Sequence, residues 1–363
     1  MADTKAWHET QFTYVWIFST GRGLSVCIRF PQNIGILYDL GCSEDFSPTD
    51  FVLRHIAPKL TKFKDCSIAQ VVMSHPHLDH IQEVDVLLRD RNASDCIYPQ
   101  LLTCPHDKEG EDDEAVDFTR VNNPESAADT IEKYRKSYES RSLPLQTITS
   151  ESDHRFANVE YGIYYLRPAS CDVLHENSDQ DYTNALSLLL YLRHGYQSML
   201  IPGDITPDAF RAVLSDEESV EKRYTWFDKA PEDTPADSHA KTGDQPALAD
   251  LLADRGLSVL VAPHHGLESG FCQDVFDHMA GGKPALNVIS EKRHLSDTDG
   301  KVDSRCQSRE YAQGVEVDVE GEKERRYSVS TMNGHHLLAV FRGTGRRFDV
   351  YSRANPEDLL TCA

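Results

Sequence analysis

The chain has no pair of cysteines at C-x-x-C spacing; its nine cysteines stand singly. That excludes a thiolate zinc knuckle and argues against a disulfide framework. The odd count reads as reduced, mostly buried thiols, with Cys27 inside an apolar strand. No apolar run reaches membrane-spanning length. The segment from Met1 to Glu9 is polar and lacks the apolar core of a signal peptide, so a cytoplasmic protein with no membrane partner is expected. Positive charge is scarce: 37 Lys and Arg against 59 Asp and Glu give a formal net charge of −22. Long-range attraction of the whole molecule to nucleic acid or to an anionic membrane is therefore not expected. Repeats, low-complexity tracts and a convincing linker are also missing, so 1–363 is read as one domain. Its apolar content of 39% is ordinary and suffices for a sizeable core.

Part of the acidity sits in two stretches that read as insertions, 105–141 and 223–247. Asp107, Glu109, Glu111, Asp112, Asp113, Glu114 and Asp117 crowd the first; Asp216, Glu217, Glu218 and Glu221 precede the second, which holds Glu232, Asp233 and Asp237. Polarity and turn-forming residues predict exposed loops away from any site, Glu109 to Asp117 and Arg223 to Ala247 in particular. The alternative is a docking surface for a basic partner.

Strand signals dominate the beginning, over Phe12 to Ser19, Leu24 to Phe30 and Ile34 to Asp39. Ser47 to Leu60 reads as a helix with Pro48 in its first turn. Ile68 to Met73 is an apolar strand, Ile81 to Leu88 is helix-like, and a helical patch lies around Ala127 to Tyr138. Strands are expected again at Ala157 to Leu166, Ala185 to Leu192, Gln197 to Ile201, Leu257 to Ala262, Ala285 to Ser290, Tyr327 to Thr331, His336 to Phe341 and Phe348 to Tyr351, with a helix over Thr206 to Leu214.

Chemistry concentrates at three strand ends. The first is Ser74-His75-Pro76-His77-Leu78-Asp79-His80, directly after Ile68 to Met73. Imidazole suits zinc and related divalent ions, and carboxylate suits harder ones. His75 and His77 are two apart and point the same way in an extended segment; Asp79 and His80 lie where the chain turns into a helix and can face a second metal position. The second is Pro202-Gly203-Asp204, where a carboxylate can bridge two metals or cap the helix after it. The third is Pro263-His264-His265-Gly266. Each of the later two is weak alone, but strand ends of one layered α/β fold converge on one edge, so their order is jointly informative.

This order resembles the metallo-β-lactamase-fold hydrolases, most closely the hydrolase domain of bacterial DNA-uptake competence-channel proteins and their stand-alone relatives. Further matches are Ile36-Leu37-Tyr38-Asp39-Leu40-Gly41, Asn184-Ala185-Leu186-Ser187, and the strands Met199 to Ile205, Val259 to Gly266 and Pro284 to Ser290. The resemblance spans roughly Phe12 to Ser352. It implies an α/β fold, a four-layer αββα sandwich carrying the acidic loop insertions, with one or two divalent ions, zinc or manganese. It implies metal ligands at His75, His77, Asp79, His80, Asp204 and His264, with His264 preferred over His265 as the first residue after its strand. Asp79 and Asp204 orient metals and hydroxide, Asn184 and His265 donate to the substrate oxyanion, and Asp39 holds a ligand imidazole from behind.

The chain departs from the family at three places. Ile81-Gln82-Glu83-Val84 replaces the Gly-Gly that usually follows the Asp-His pair. Gly21-Arg22-Gly23 is followed by Leu24 without the acidic residue common in the subgroup. The usual third histidine of the first metal site is missing near Asn184; His175 is either its substitute or, the favoured reading, a solvated loop histidine.

Three functions are weighed. The resemblance implies first a phosphodiesterase or nuclease, in stand-alone form similar to effectors of prokaryotic antiviral defence systems, with a phosphodiester or nucleic-acid substrate and a partner protein. The second is a hydrolase of small esters, lactones, thioesters or β-lactams. The third is a non-catalytic interaction protein that keeps a structural metal.

Overall fold

The computed structural model describes residues 12–21, 23–60, 68–88, 101–105, 116–117, 119–121, 129–130, 159–215, 220–227, 246–291, 301–343 and 345–362. They form a mixed α/β architecture built on two mixed sheets.

The first sheet begins with an antiparallel meander of β1 (Thr13–Ile17), β2 (Ser25–Arg29) and β3 (Gly35–Leu40). Parallel β4 (Ile68–Val72) and β5 (Leu101–Thr103) extend one side. The other side carries β12 (Val315–Val319), β13 (Glu322–Arg326), β15 (His336–Phe341) and β16 (Asp349–Arg353), in the order β13-β12-β16-β15-β1-β2-β3-β4-β5. The second sheet holds β6 (Val159–Leu166), β7 (Leu189–His194), β8 (Gln197–Ile201), β9 (Val220–Phe227), β10 (Val259–Val261), β11 (Leu286–Ile289) and β14 (Ser328–Ser330). Its order is β14-β11-β10-β8-β7-β6-β9.

Alternation along the strands sorts the core. Val15, Ile17, Val26, Ile28, Ile36 and Val72 of the first sheet pack with Leu190, Leu192, Met199, Ile201, Val259 and Val288 of the second. The alternate residues, Trp16, Cys27, Leu37, Val71, Leu189, Tyr191, Leu200 and Leu260, join side chains from the helices, among them Val52, Ile56, Ile81, Phe210, Leu252 and Phe276. Period two on the strands sends one set of side chains between the sheets and the other toward the apolar faces of the helices, while β13 at the edge of the first sheet stays largely exposed.

Several expectations need correction. Arg223 to Phe227 is not loop: it belongs to β9, paired along its length with β6. The alternation Val220-Glu221-Lys222-Arg223-Tyr224-Thr225-Trp226-Phe227 is a strand pattern, and the Pro- and Asp-rich residues after it obscured this. Residues 228–245 lie outside the described residues. In the first acidic stretch, Val116 and Val121 are buried in the core, and the Asp117 amide donates to Tyr182 Oη at 2.9 Å, so this part is docked. Glu109 to Glu114 and most of the Ala127 to Tyr138 patch lie outside the described residues. The strand expected from Ala185 starts only at Leu189, because helices Pro168–Leu174 and Asp179–Ala185 precede it. Ser47 to Leu60 is helical but changes type: an α-turn over Pro48–Phe51, a π-turn over Val52–Ile56 and a 3-10 turn over Ala57–Lys59.

No helix among the described residues is long and apolar enough to cross a membrane.

Candidate metal centre

Four strand ends build the site. β3 ends beside Asp39, β4 runs into Ser74-His75, β8 runs into Gly203-Asp204, and β10 runs into Pro263 to Gly266. The Gly-Asp turn needs its glycine. Gly203 has φ +62°, and a Cβ there would stand 2.9 Å from Ser74 Cβ, so Asp204 is pressed against the histidine motif. Gly23 does the same from the other side, with φ +104° and room for no Cβ beside the Asp79 carbonyl.

The side chains converge on Asp204, which is 4% exposed. Around its Oδ2 stand His265 Nε2 at 3.2 Å, His80 Nε2 at 3.5 Å, His264 Nε2 at 3.9 Å and His75 Nε2 at 4.0 Å. Two groups have ligand atoms within metal-sharing distance of one another: His75, His77 and Asp204, and Asp79, His80 and His265. Each can hold a divalent ion. Two further observations fit that group chemically. His80 Nε2 and His265 Nε2 are buried without a hydrogen-bond partner, and both face Asp204 Oδ2, at 3.5 and 3.2 Å. His75 Nε2 and His77 Nδ1 meet at 2.9 Å. Buried polar atoms left unpaired are costly, and an ion satisfies several at once.

The electrostatics point the same way. Burial alone would raise the Asp204 carboxyl, but His265 and His80 hold it well below the usual carboxylate range. Burial, helped by the neighbouring His80 and His77, pushes His75 well down, so it is a neutral donor. Burial also lowers His77, and Asp204 only partly opposes it. His80 goes the other way: burial lowers it, but Asp204 and Asp39 raise it well above the ordinary histidine value.

The sequence preferred His264 over His265 as ligand; the structure brings His265 together with Asp79 and His80, while His264 Nε2 stands 3.9 Å from Asp204 Oδ2. Both His264 and His265 are in the left-handed region, with φ +48° and +57°, so the turn swings the second ring inward. His265 joins Asp79 and His80, and its Nδ1 lies 3.1 Å from the Ser290 carbonyl, to which only an N–H can bond. His264 belongs to neither group; its Nδ1 is 2.9 Å from Ser269 Oγ. Asn184 is also in neither group; it is 1% exposed and its Oδ1 has no hydrogen-bond partner. His175 bonds Thr206 Oγ1 at 2.9 Å and is not a ligand in either group. Thr206, not Asp204, caps the helix Pro207–Leu214, accepting from the Ala209 amide. Where Gly-Gly is usual in the resembling family, Glu83 accepts from the Thr49 amide at 2.7 Å and anchors the helix Pro48–Phe51.

Sequence reasoning gave no role to the serines behind the ligands. Ser187 Oγ accepts from the Asp204 amide at 3.1 Å, and the Ser290 carbonyl orients His265. Both stand in segments already singled out, Asn184 to Ser187 and Pro284 to Ser290.

No protein-family model matches the chain, and no curated protein matches it.

Proposed function

We propose that the chain is a metal-dependent hydrolase of the metallo-β-lactamase fold, a four-layer αββα sandwich, and that it cleaves phosphodiesters. The observation that carries this reading is the pair of ligand groups on either side of one buried carboxylate, Asp204. When bound there, one or two divalent ions, zinc or manganese, lower the pKa of a water and stabilise negative charge developing on the substrate. His75 and His77 with Asp204 hold one position; Asp79, His80 and His265 hold the other. The second group sets two imidazoles beside one carboxylate, and the first does the same through Asp204, so each offers a mixed nitrogen and oxygen donor set suited to either metal once the ligand nitrogens are deprotonated. Asp79, whose side chain is 27% exposed, is open to solvent and can accept a proton from the attacking water. Paired positions of this kind suit in-line displacement at phosphorus, where both attacking and leaving oxygens need neutralising.

The net charge of −22 directs the proposal to short oligonucleotides, cyclic nucleotides, or substrates brought by a partner protein with a basic surface. The test is a panel of DNA, RNA, cyclic-nucleotide, carboxylester and lactone substrates, run with zinc and manganese separately. Metal-dependent cleavage of a phosphodiester, stopped by chelator, is expected. Turnover of esters or lactones by fully metallated protein that leaves every phosphodiester intact would replace this reading with the small-molecule one.

A further inference from the structure

We infer that Ser74 is a positioning residue that ties both ligand groups to a single buried carboxylate, Asp39. This rests on the metal-site reading above and extends it to how the ligands are aimed.

Asp39 is fully buried and sits at φ +56°, in a conformation that L residues other than glycine seldom adopt. Its Oδ1 accepts from the Ser74 amide at 2.6 Å. Its Oδ2 accepts from Ser74 Oγ at 2.8 Å and faces His80 Nδ1 at 2.7 Å. An ionised carboxylate only accepts, so His80 carries a proton on Nδ1. The nitrogen that His80 turns toward Asp204 is then Nε2, the one that must be bare to bind an ion. The Ser74 hydroxyl owns one proton and gives it to Asp39. In its other contacts, 2.9 Å to His75 Nδ1 and a longer 3.4 Å to His80 Nδ1, the hydroxyl oxygen therefore accepts: His75 donates to it, and the His80 Nδ1–H is shared between it and Asp39. His75 is thereby held as the Nδ1–H tautomer with Nε2 bare. His75 belongs to the first group and His80 to the second. One carboxylate thus aims a ligand in each, directly at His80 and through a hydroxyl at His75.

The hydroxyl is also fixed in space. The Ser74 carbonyl accepts from the Leu188 amide at 2.9 Å, and Gly203 closes against Ser74 Cβ. Ser74 lies between the histidine motif and the Gly-Asp turn and cannot rotate away without moving one of them.

The consequence is asymmetric. Removing the hydroxyl strands the His75 Nδ1–H and frees its tautomer, while the Asp39–His80 bond and the Ser74 amide bond survive. Loss of such an outer partner weakens metal binding about 10- to 100-fold. The experiment uses the full chain and reads manganese and zinc uptake by calorimetry and by metal content after dialysis. Placed on His265→Ala, where only the first group remains, Ser74→Ala should weaken the remaining ion about 10- to 100-fold. Placed on His77→Ala, where only the second group remains, it should change affinity little. Ser74→Thr keeps the hydroxyl and should restore binding, and Asp39→Asn should weaken both groups. Equal affinity with and without Ser74→Ala in the His265→Ala background overturns the assignment of Ser74 and leaves the metal sites standing. Failure of the wild type to bind either metal overturns both. A second measurement needs neither a variant nor a metal: the imidazole nitrogen spectrum of metal-free wild type should show His75 protonated at Nδ1 and bare at Nε2. A His75 protonated at Nε2 instead overturns the inference.

Discussion

Acid should destabilise this protein through His336, by an amount its surroundings allow to be worked out. His336 begins β15, is 4% exposed, and packs edge-on against Phe18 and Phe46, with ring centroids 6.1 and 4.5 Å away. Its Nδ1 accepts from the Ser19 amide at 3.2 Å. A protonated ring would turn that nitrogen into a donor facing a donor. Burial, with a smaller push from His335, brings the side chain down to about 4. The unfolded chain takes up the proton near the ordinary value of about 6.5. Between those two values the unfolded state binds more protons than the folded one, so the contribution is complete above pH 6.5 and is lost as pH falls through 4. A gap of about 2.5 between the two values is worth ~3 kcal/mol in full, and ~2 kcal/mol of it is already gone at pH 5. His336→Asn does not titrate in this range and keeps an acceptor oxygen near the Ser19 amide. Urea unfolding in chelator at pH 8 and pH 5 isolates the effect, since every other group is common to both proteins. The stability advantage of wild type over His336→Asn should shrink by ~2 kcal/mol at pH 5. An advantage that stays constant, or grows on acidification, would refute the reasoning.

Other expectations follow from the site. Asp79→Ala and His80→Ala should each abolish turnover, on the order of a thousandfold or more, with thermal melts of the metal-free protein showing a retained fold. Asn184→Ala should cost much less in rate, because Asn184 belongs to neither ligand group. His265→Ala should remove one ion from the metal count while His264→Ala keeps both; the opposite pattern would restore the sequence-based preference. Metal affinity should rise with pH, since burial is outweighed at His80 by Asp204 and Asp39, which raise it, and its Nε2 proton must leave before an ion binds; proton release in calorimetry checks the sign. Phe210→Ala should cost about 3–5 kcal/mol in denaturant unfolding, because this fully buried ring joins helix Pro207–Leu214 to the core.

The elements that deliver the site were the most legible ones. β8 over Gln197–Ile201, which leads into Asp204, agrees with the sequence reading residue for residue, as does β15 over His336–Phe341 away from the site, because each is a short apolar run bounded by turn residues. The convergence of three strand ends was readable from their order. The elements that escaped lacked periodicity or were masked by their neighbours. Helix Asp179–Ala185 has little apolar rhythm; Ser178 accepting from the Asp181 amide is its start signal, a cap that pattern reading passed over. The hairpin of β12 and β13 alternates cleanly through Val315-Glu316-Val317-Asp318-Val319 and turns at Glu320-Gly321, yet the sequence reading assigned it no element, since its many charges leave no apolar run. That His265 rather than His264 would stand with Asp79 and His80 was beyond sequence, because it hangs on two consecutive left-handed residues. The role of Ser74 was out of reach for a related reason: nothing in the spacing reveals that its one proton goes to Asp39.

The measurement that bears most directly on the central claim is a crystal structure of the full chain soaked in manganese, with anomalous scattering recorded. Two peaks are predicted, one on each side of Asp204, the first bonded by His75 and His77 and the second by Asp79, His80 and His265, at bond lengths of about 2 Å. No peak at either position, with these side chains more than about 4 Å from any shared centre, would contradict the account.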